Sequence, residues 1–265
     1  MIRRPFGTTG VEVSVVGQGT WRMGEEPTRR RSEVAALRLG LELGLTHIDT
    51  AEMYGGGGAE RVVAEAIAGR RDQVFLVSKV LPEHASYAGT VRACEASLRR
   101  LRTDRLDVYL LHWWSTRHPI AETMRGMAEL VRRGLTRFVG VSNLDVAQLR
   151  AAQAALADVP LACDQVLYHL RDRAIERAVL PYCERRRIAV VGYTPLARGG
   201  FMRGPVAEIA ARRGRTPRQV ALNFLTRRPA LFVIPKASRP EHVRENAGAL
   251  DFTLTPAEVR AIDGA

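Results

Sequence analysis

Val74-Phe75-Leu76-Val77-Ser78-Lys79, an amphipathic run over 89–101, then Leu106-Asp107-Val108-Tyr109-Leu110-Leu111-His112 make a strand, a helix and a second strand. Short apolar runs of this length read as buried strands, and strand–helix–strand order joins parallel neighbours. Outward from this unit the alternation continues. Strand-like runs fall at 15–19, 46–49, 74–79, 106–112, 136–142, 162–166, 188–193 and 231–235. Helical patterns fall at 32–43, 59–68, 89–101, 121–133, 145–156, 174–186, 217–227 and 240–249. Unbroken β/α units predict a parallel sheet, and eight of them predict its closure into a (β/α)8 barrel of the TIM type. Ahead of them, a turn at Gly7-Thr8-Thr9-Gly10 and the alternating Val11-Glu12-Val13-Ser14-Val15 predict an N-terminal β-hairpin. Two helices carry start signals: Ser32-x-x-x-Ala before an apolar face, and Thr216-Pro217 with proline at the first helical position. No Pro/Ser linker or charge block divides the chain, so a single barrel domain over 1–265 is expected. The stretch from Pro195 to Pro205 reads as a Gly-rich loop.

With 265 residues and 46% hydrophobic content the chain can bury a large core. Its net charge of +12 invites a nucleic-acid or membrane reading. The arginines argue against that, because they are scattered through helical segments, as at Arg29-Arg30-Arg31, Arg99-Arg100, Arg132-Arg133, Arg185-Arg186-Arg187 and Arg212-Arg213. The three cysteines, Cys94, Cys163 and Cys183, are far apart and show no CxxC spacing. They predict neither a disulfide framework nor a zinc knuckle and fit a reducing compartment. The N-terminus lacks the apolar stretch of a signal peptide, and no run approaches the roughly 20 apolar residues of a membrane span. A cytoplasmic protein without nucleic-acid or membrane partners is expected, and no exposed apolar stripe argues against a monomer.

A parallel barrel places its chemistry at the C-terminal ends of its strands. Asp49, Lys79 and His112 close three of the runs, and Tyr54 follows in the glycine-rich loop after the first of these. Singly, each has an ordinary explanation: a surface lysine, a packing tyrosine, a buried imidazole beside Trp113 and Trp114. At one face of one barrel they are the parts of a proton-delivery site. A phenol, with a pKa near 10, is a poor acid at neutral pH, and a neighbouring ammonium lowers that value. Lys79 is the expected neighbour, Asp49 holds its charge, and His112 hydrogen-bonds the oxygen that Tyr54 protonates. No metal-ligand cluster surrounds the four, so no metal is expected.

Asp49-Thr50-Ala51-Glu52-Met53-Tyr54-Gly55, Ser78-Lys79, Leu110-Leu111-His112-Trp113, Gly140-Val141-Ser142-Asn143, Gln165-Val166 and Ile234-Pro235-Lys236 together resemble the aldo-keto reductases. The resemblance runs from the hairpin to Leu254-Thr255-Pro256-Ala257-Glu258, and no GxGxxG fingerprint follows the first strand. It implies a catalytic tetrad of Asp49, Tyr54, Lys79 and His112, with Tyr54 as general acid, and hydride from a bound nicotinamide. Ser142, Asn143 and Gln165 would grip the carboxamide, Tyr193 would stack on the nicotinamide, and Thr194-Pro195-Leu196-Ala197-Arg198 would cover the pyrophosphate. Thr20 and Trp21 would also meet the cofactor. Lys236, Ser238 and Arg239 would bind an adenosine 2′-phosphate, with Glu245 and Asn246 at the adenine. NADPH is therefore expected over NADH.

Three departures from the family pattern stand out. His242 occupies a position where many members carry arginine, and a neutral imidazole cannot make the bidentate fork. Asp164 stands where asparagine often precedes the glutamine, and an anion there is expected to hydrogen-bond less well beside the carboxamide. The chain stops at Ala265 without the long tail of many relatives. Specificity is then expected to rest on Trp21, Tyr54, Trp113, Trp114 and the loop around Phe201-Met202, in an open pocket for a small carbonyl substrate. Other functions remain open at this point: a Schiff-base lyase using Lys79, a non-catalytic nicotinamide-binding regulatory protein, and a salt-sensitive nucleic-acid binder.

Overall fold

A computed structural model describes residues 2–199 and 203–264. β1 (Arg3–Pro5) and β2 (Glu12–Ser14) form the antiparallel hairpin. It closes the bottom of the barrel. Phe6, fully buried, packs its ring against Phe75 at 4.8 Å, Phe232 at 5.0 Å and His47 at 5.8 Å, so one aromatic side chain at the hairpin turn seals the mouth. Gly7 takes φ +56, and a Cβ there would stand 2.3 Å from the Ala162 carbonyl oxygen, so the turn fits closely under the sheet only as glycine.

The sheet runs in sequence order: β3 (Gln18–Gly19), β4 (His47–Asp49), β5 (Phe75–Val80), β6 (Leu106–Leu111), β7 (Thr136–Ser142), β8 (Leu161–Leu167), β9 (Ala189–Tyr193) and β10 (Leu231–Val233). All neighbours are parallel. The two edges meet through the bridges Val16–Val233 and Gly19–Lys236, with Gly17 N donating to Val233 O at 2.8 Å and Val233 N to Val15 O at 3.0 Å. This seam makes the sheet the expected (β/α)8 barrel, with no unpaired edge to protect. β5 and β6 are buried throughout, as strands covered on both faces must be.

The outer layer is α1 (Arg30–Glu42), α2 (Gly58–Ala66), α3 (Tyr87–Leu101), α4 (Ile120–Arg132), α5 (Val146–Leu156), α6 (Val179–Arg186), α7 (Pro205–Arg213), α8 (Pro217–Leu225), α9 (Pro240–Ala247) and α10 (Pro256–Asp263). Three expectations are corrected here. Ser32 is not a cap: α1 starts two residues earlier, and the Ser32 hydroxyl donates back to Arg29 O. The run 174–186 is a single 3-10 turn over Ala174–Arg177 followed by α6. An additional helix, α7, stands between β9 and β10 beside α8, bounded by a proline at its start and a left-handed Gly214 at its end. Thr216, by contrast, caps α8 as expected: its Oγ1 accepts from Gln219 N at 3.2 Å, and Gln219 Oε1 accepts from Thr216 N at 3.1 Å.

Replacing Thr216 with alanine removes one half of this capping box. Urea unfolding is expected to show a loss of about 1 kcal/mol with an unchanged m-value; a loss near zero would mean that the cap contributes nothing to α8.

Candidate active site

β4, β5 and β6 deliver three of the four tetrad residues to one end of the barrel. Asp49 ends β4, Lys79 is the penultimate residue of β5, and His112 follows β6 directly. Tyr54 arrives from the loop after β4, where Gly55 and Gly56 take φ +57 and +58. Lys79 is 0% exposed. Its Nζ donates to Asp49 Oδ2 at 2.7 Å, to Thr50 O at 2.9 Å and to Tyr54 Oη at 3.4 Å. An ammonium has three protons, and three acceptors face it here. Because Tyr54 Oη accepts from Lys79, its own hydrogen points elsewhere.

Burial would lower the Lys79 pKa, but Asp49 and Tyr54 more than offset it, and the group is held above the ordinary lysine value. Tyr54 departs from expectation. Lys79 does pull its pKa down, yet burial pushes harder, and the phenol stays above its usual range. His112 is driven down to about 3, first by burial and then by the Lys79 charge, so it is a neutral imidazole. Its ring meets the Tyr54 ring edge-on at 5.6 Å and the Trp113 ring at 5.0 Å.

One contact was not legible in the sequence. Gln165 Nε2, on β8, donates to Asp49 Oδ1 at 2.7 Å, so Asp49 is held from two sides and a residue expected only at the cofactor also braces the tetrad. No sequence pattern links positions so far apart; only barrel closure brings them together.

Asp49, Tyr54 and His112, with Lys79 buried beneath, form the floor of a cleft of about 560 Å³, of the size that holds small-molecule ligands. Thr20, Trp21, Met53, Trp113, Ser142, Asn143, Gln165, Tyr193, Thr194, Pro195, Leu196, Ala197 and Lys236 line it. Thr20 Oγ1 donates to Asp49 O at 2.9 Å. Asn143, at φ +60, accepts from Tyr193 Oη at 2.9 Å and donates to Ser142 Oγ at 3.0 Å. Lys236 Nζ donates to Ser238 Oγ at 3.2 Å at the outer end. Beyond it, Arg239 lies against the His242 ring, whose Nδ1 also meets Arg218 at 3.1 Å and Glu245 at 3.2 Å. Asn246 is buried in α9.

Trp114 does not belong to the cleft. Past the end of β6 the chain turns away, and Trp114 packs on the core with Nε1 donating to His118 O at 3.1 Å. Asp164 is 0% exposed, and burial raises its pKa well above the usual carboxylate value. Phe201, Met202 and the Arg198 side chain lie outside the described residues. Among the described residues, no group of three His, Cys, Asp or Glu could hold a metal ion, and no helix is long and apolar enough to cross a membrane.

Its relatives show the chain to be an oxidoreductase. A sequence model of the Aldo/keto reductase family matches residues 15–265, and the chain belongs to that family. It is 47% identical over 261 residues to methylglyoxal reductase YeaE of Escherichia coli (strain K12), spanning 96% of this chain and 92% of that protein. An aldo/keto reductase from Klebsiella pneumoniae, solved with NADP and acetate, superposes with a TM-score of 0.93 at 45% identity, over 100% of this chain and 95% of that one. The thermostable aldo-keto reductase Tm1743, solved with the inhibitor epalrestat, superposes at 0.95 with 40% identity, over 100% of this chain and 99% of that one.

His112 shares its neutral state with His47, whose two ring nitrogens have no hydrogen-bond partner and whose pKa is also lowered to about 3 by burial and by Lys79. In the unfolded chain both titrate near 6.5. Stability present above that pH is therefore lost as pH falls from about 6.5 towards 3, at up to about 1.4 kcal/mol per pH unit for each histidine. Urea midpoints at pH 7, 6 and 5 measure this; a flat profile would mean that both rings titrate in the folded protein as they do in the unfolded chain.

Proposed function

We propose that this protein reduces small aldehydes and ketones to alcohols, reversibly, with NADPH as hydride donor and Tyr54 as general acid. The observation that carries the reading is the complete commitment of the Lys79 ammonium to Asp49, Thr50 and Tyr54. With that oxygen accepting from Lys79, the Tyr54 hydroxyl proton is free to meet a carbonyl oxygen in the cleft. When the proton leaves, the phenolate that remains lies beside a buried cation whose charge is held by Asp49. The raised pKa keeps the proton loaded beforehand. His112, neutral, offers the carbonyl oxygen a hydrogen bond without competing as an acid.

The cleft suits a nicotinamide cofactor, which when bound supplies the hydride. Ser142, Asn143 and Gln165 present amide and hydroxyl partners, and Tyr193 presents an aromatic ring beside them. Lys236, Ser238 and Arg239 supply charge and a hydroxyl for a 2′-phosphate. NADP in the Klebsiella structure and the name of the E. coli relative support NADPH and small ketoaldehydes. Trp21, 45% exposed, and Trp113 leave an open apolar mouth that suits such substrates. The lyase alternative fits poorly. A Schiff-base lysine must be reachable and readily deprotonated, whereas Lys79 is sealed beneath Tyr54 and held cationic.

Tyr54→Phe removes the transferable proton together with the oxygen that accepts from Lys79. It is expected to lower kcat for methylglyoxal reduction by about 10²–10⁴-fold while NADPH still quenches protein fluorescence as in the wild type; unchanged turnover would remove Tyr54 from the acid role. Lys236→Met is expected to raise the KM for NADPH about tenfold, roughly 1.4 kcal/mol, with little change for NADH. Equal effects on both cofactors would place the 2′-phosphate elsewhere.

A further inference from the structure

Glu52 is an acidic side chain beside the tetrad that the mechanism above does not use. It stands three residues after Asp49 and two before Tyr54, on the turn that carries the phenol from β4 into the cleft. Its side chain is only 9% exposed. Oε1 accepts from the Leu81 backbone N–H at 2.7 Å and meets His84 Nδ1 at 3.0 Å. Leu81 follows β5 directly, two residues after Lys79, and His84 ends the 3-10 turn Pro82–His84. The His84 ring is exposed, so the Leu81 amide is the firmer of the two anchors. The Glu52 N–H leans the same way, towards Lys79 O at 3.5 Å. Glu52 thus ties the turn that bears Tyr54 to the strand end that bears Lys79.

Such a tether matters because little else fixes the phenol. Tyr54 Oη reaches Lys79 Nζ at 3.4 Å, past the roughly 3.2 Å limit of an ordinary N–H···O bond. Beyond Tyr54 the chain runs Gly55-Gly56-Gly57-Gly58, the first three at positive φ, with no side chain to hold the turn from that side. Of the three residues between Thr50 and Tyr54, Ala51 and Met53 are apolar, which leaves Glu52 to hold it by a hydrogen bond. A carboxylate accepting from a backbone N–H is one of the stronger bonds of this kind. We propose that Glu52 is a positioning residue, whose bond to the Leu81 amide holds Tyr54 over Lys79 and within reach of a carbonyl oxygen. The inference rests on the reading of Tyr54 as general acid. Displacing a reacting group by about 1 Å costs on the order of 10²-fold in rate. Ser142, Asn143 and Gln165, proposed to grip the carboxamide, come from β7, β8 and their immediate ends, whereas Glu52 ties the ends of β4 and β5. Loss of the tether therefore falls on turnover and spares the hold on the cofactor.

Glu52→Ala is expected to lower kcat for methylglyoxal reduction about 10–100-fold with the KM for NADPH unchanged. Glu52→Gln keeps an oxygen for the Leu81 amide and should restore most of the rate. Leu81→Pro tests the same bond from its other end: Leu81 has φ −71, which proline adopts, and the substitution deletes the N–H. It should reproduce the alanine loss, and it keeps the inference testable should the alanine variant fail to fold. In a Tyr54→Phe background, Glu52→Ala should leave the residual rate where it is, because Glu52 acts through Tyr54. Hydrogen exchange over residues 50–57 should quicken in the alanine and proline variants and stay near wild type in the glutamine variant. Wild-type kcat in the alanine and proline variants, or a glutamine variant as slow as the alanine one, would overturn the positioning role. So would a further loss multiplied onto that of Tyr54→Phe. Should Tyr54→Phe by itself turn over at the wild-type rate, the acid reading falls, and the exchange data then decide whether Glu52 holds the turn.

Discussion

A lysine ammonium buried away from the surface must find acceptors for all its protons, and the site of this protein is organised around that requirement. Lys79 meets it with Asp49, the Thr50 carbonyl and Tyr54. Asp49 in turn needs a second donor and takes it from Gln165. The chain of contacts therefore spans β5, β4 and β8 across the barrel interior. Each strand must hold its register for the next contact to form, since a slip of one residue turns every side chain to the other face. Stability and chemistry are thus tied to the same atoms: removing one partner of such a pair typically costs about 3–5 kcal/mol, because a buried charge is left uncompensated.

The surroundings of Lys79 follow from its charge. His47 and His112 are both kept neutral by burial and by the nearby cation. The Lys79–Asp49 pair is therefore flanked by two imidazoles whose protonation it and their burial oppose. In so dry an environment a single displaced proton alters the local field more than it would in water. The arginine-rich exterior is a separate matter. Arg105 with Asp72 and Arg239 with Glu241 are solvent-exposed pairs, and such pairs add little to stability. The net charge of +12 is a property of the helical surface, not of the catalytic floor.

Sequence reading reached furthest where one local rule governs the outcome. The run Phe75–Val80 is apolar until its polar end, and the structure uses it as such. Thr216-Pro217 with Gln219 signals a capped helix because all its partners lie within one turn. Ser32 failed as a start signal because the helix has already begun at Arg30, and its hydroxyl donates back to the carbonyl of the capping residue Arg29. The helix Pro205–Arg213 was hidden beside a glycine-rich loop in a barrel pattern that expects one helix per unit. Trp113 and Trp114 are chemically alike and adjacent; only the exit direction of the chain after β6 decides that one faces the cleft and the other the core.

The sequence by itself determined the hairpin, the order of the strands with most of their helices, and the four groups gathered at one end of the barrel, because periodicity and residue chemistry are local properties of the chain. Tertiary structure alone decided that Gln165 braces Asp49 from 116 positions away, that burial keeps the Tyr54 pKa up despite its cationic neighbour, and that burial raises the pKa of Asp164 above that of an ordinary carboxylate. Those outcomes depend on burial and on the meeting of distant strands. Both arise only when the sheet closes.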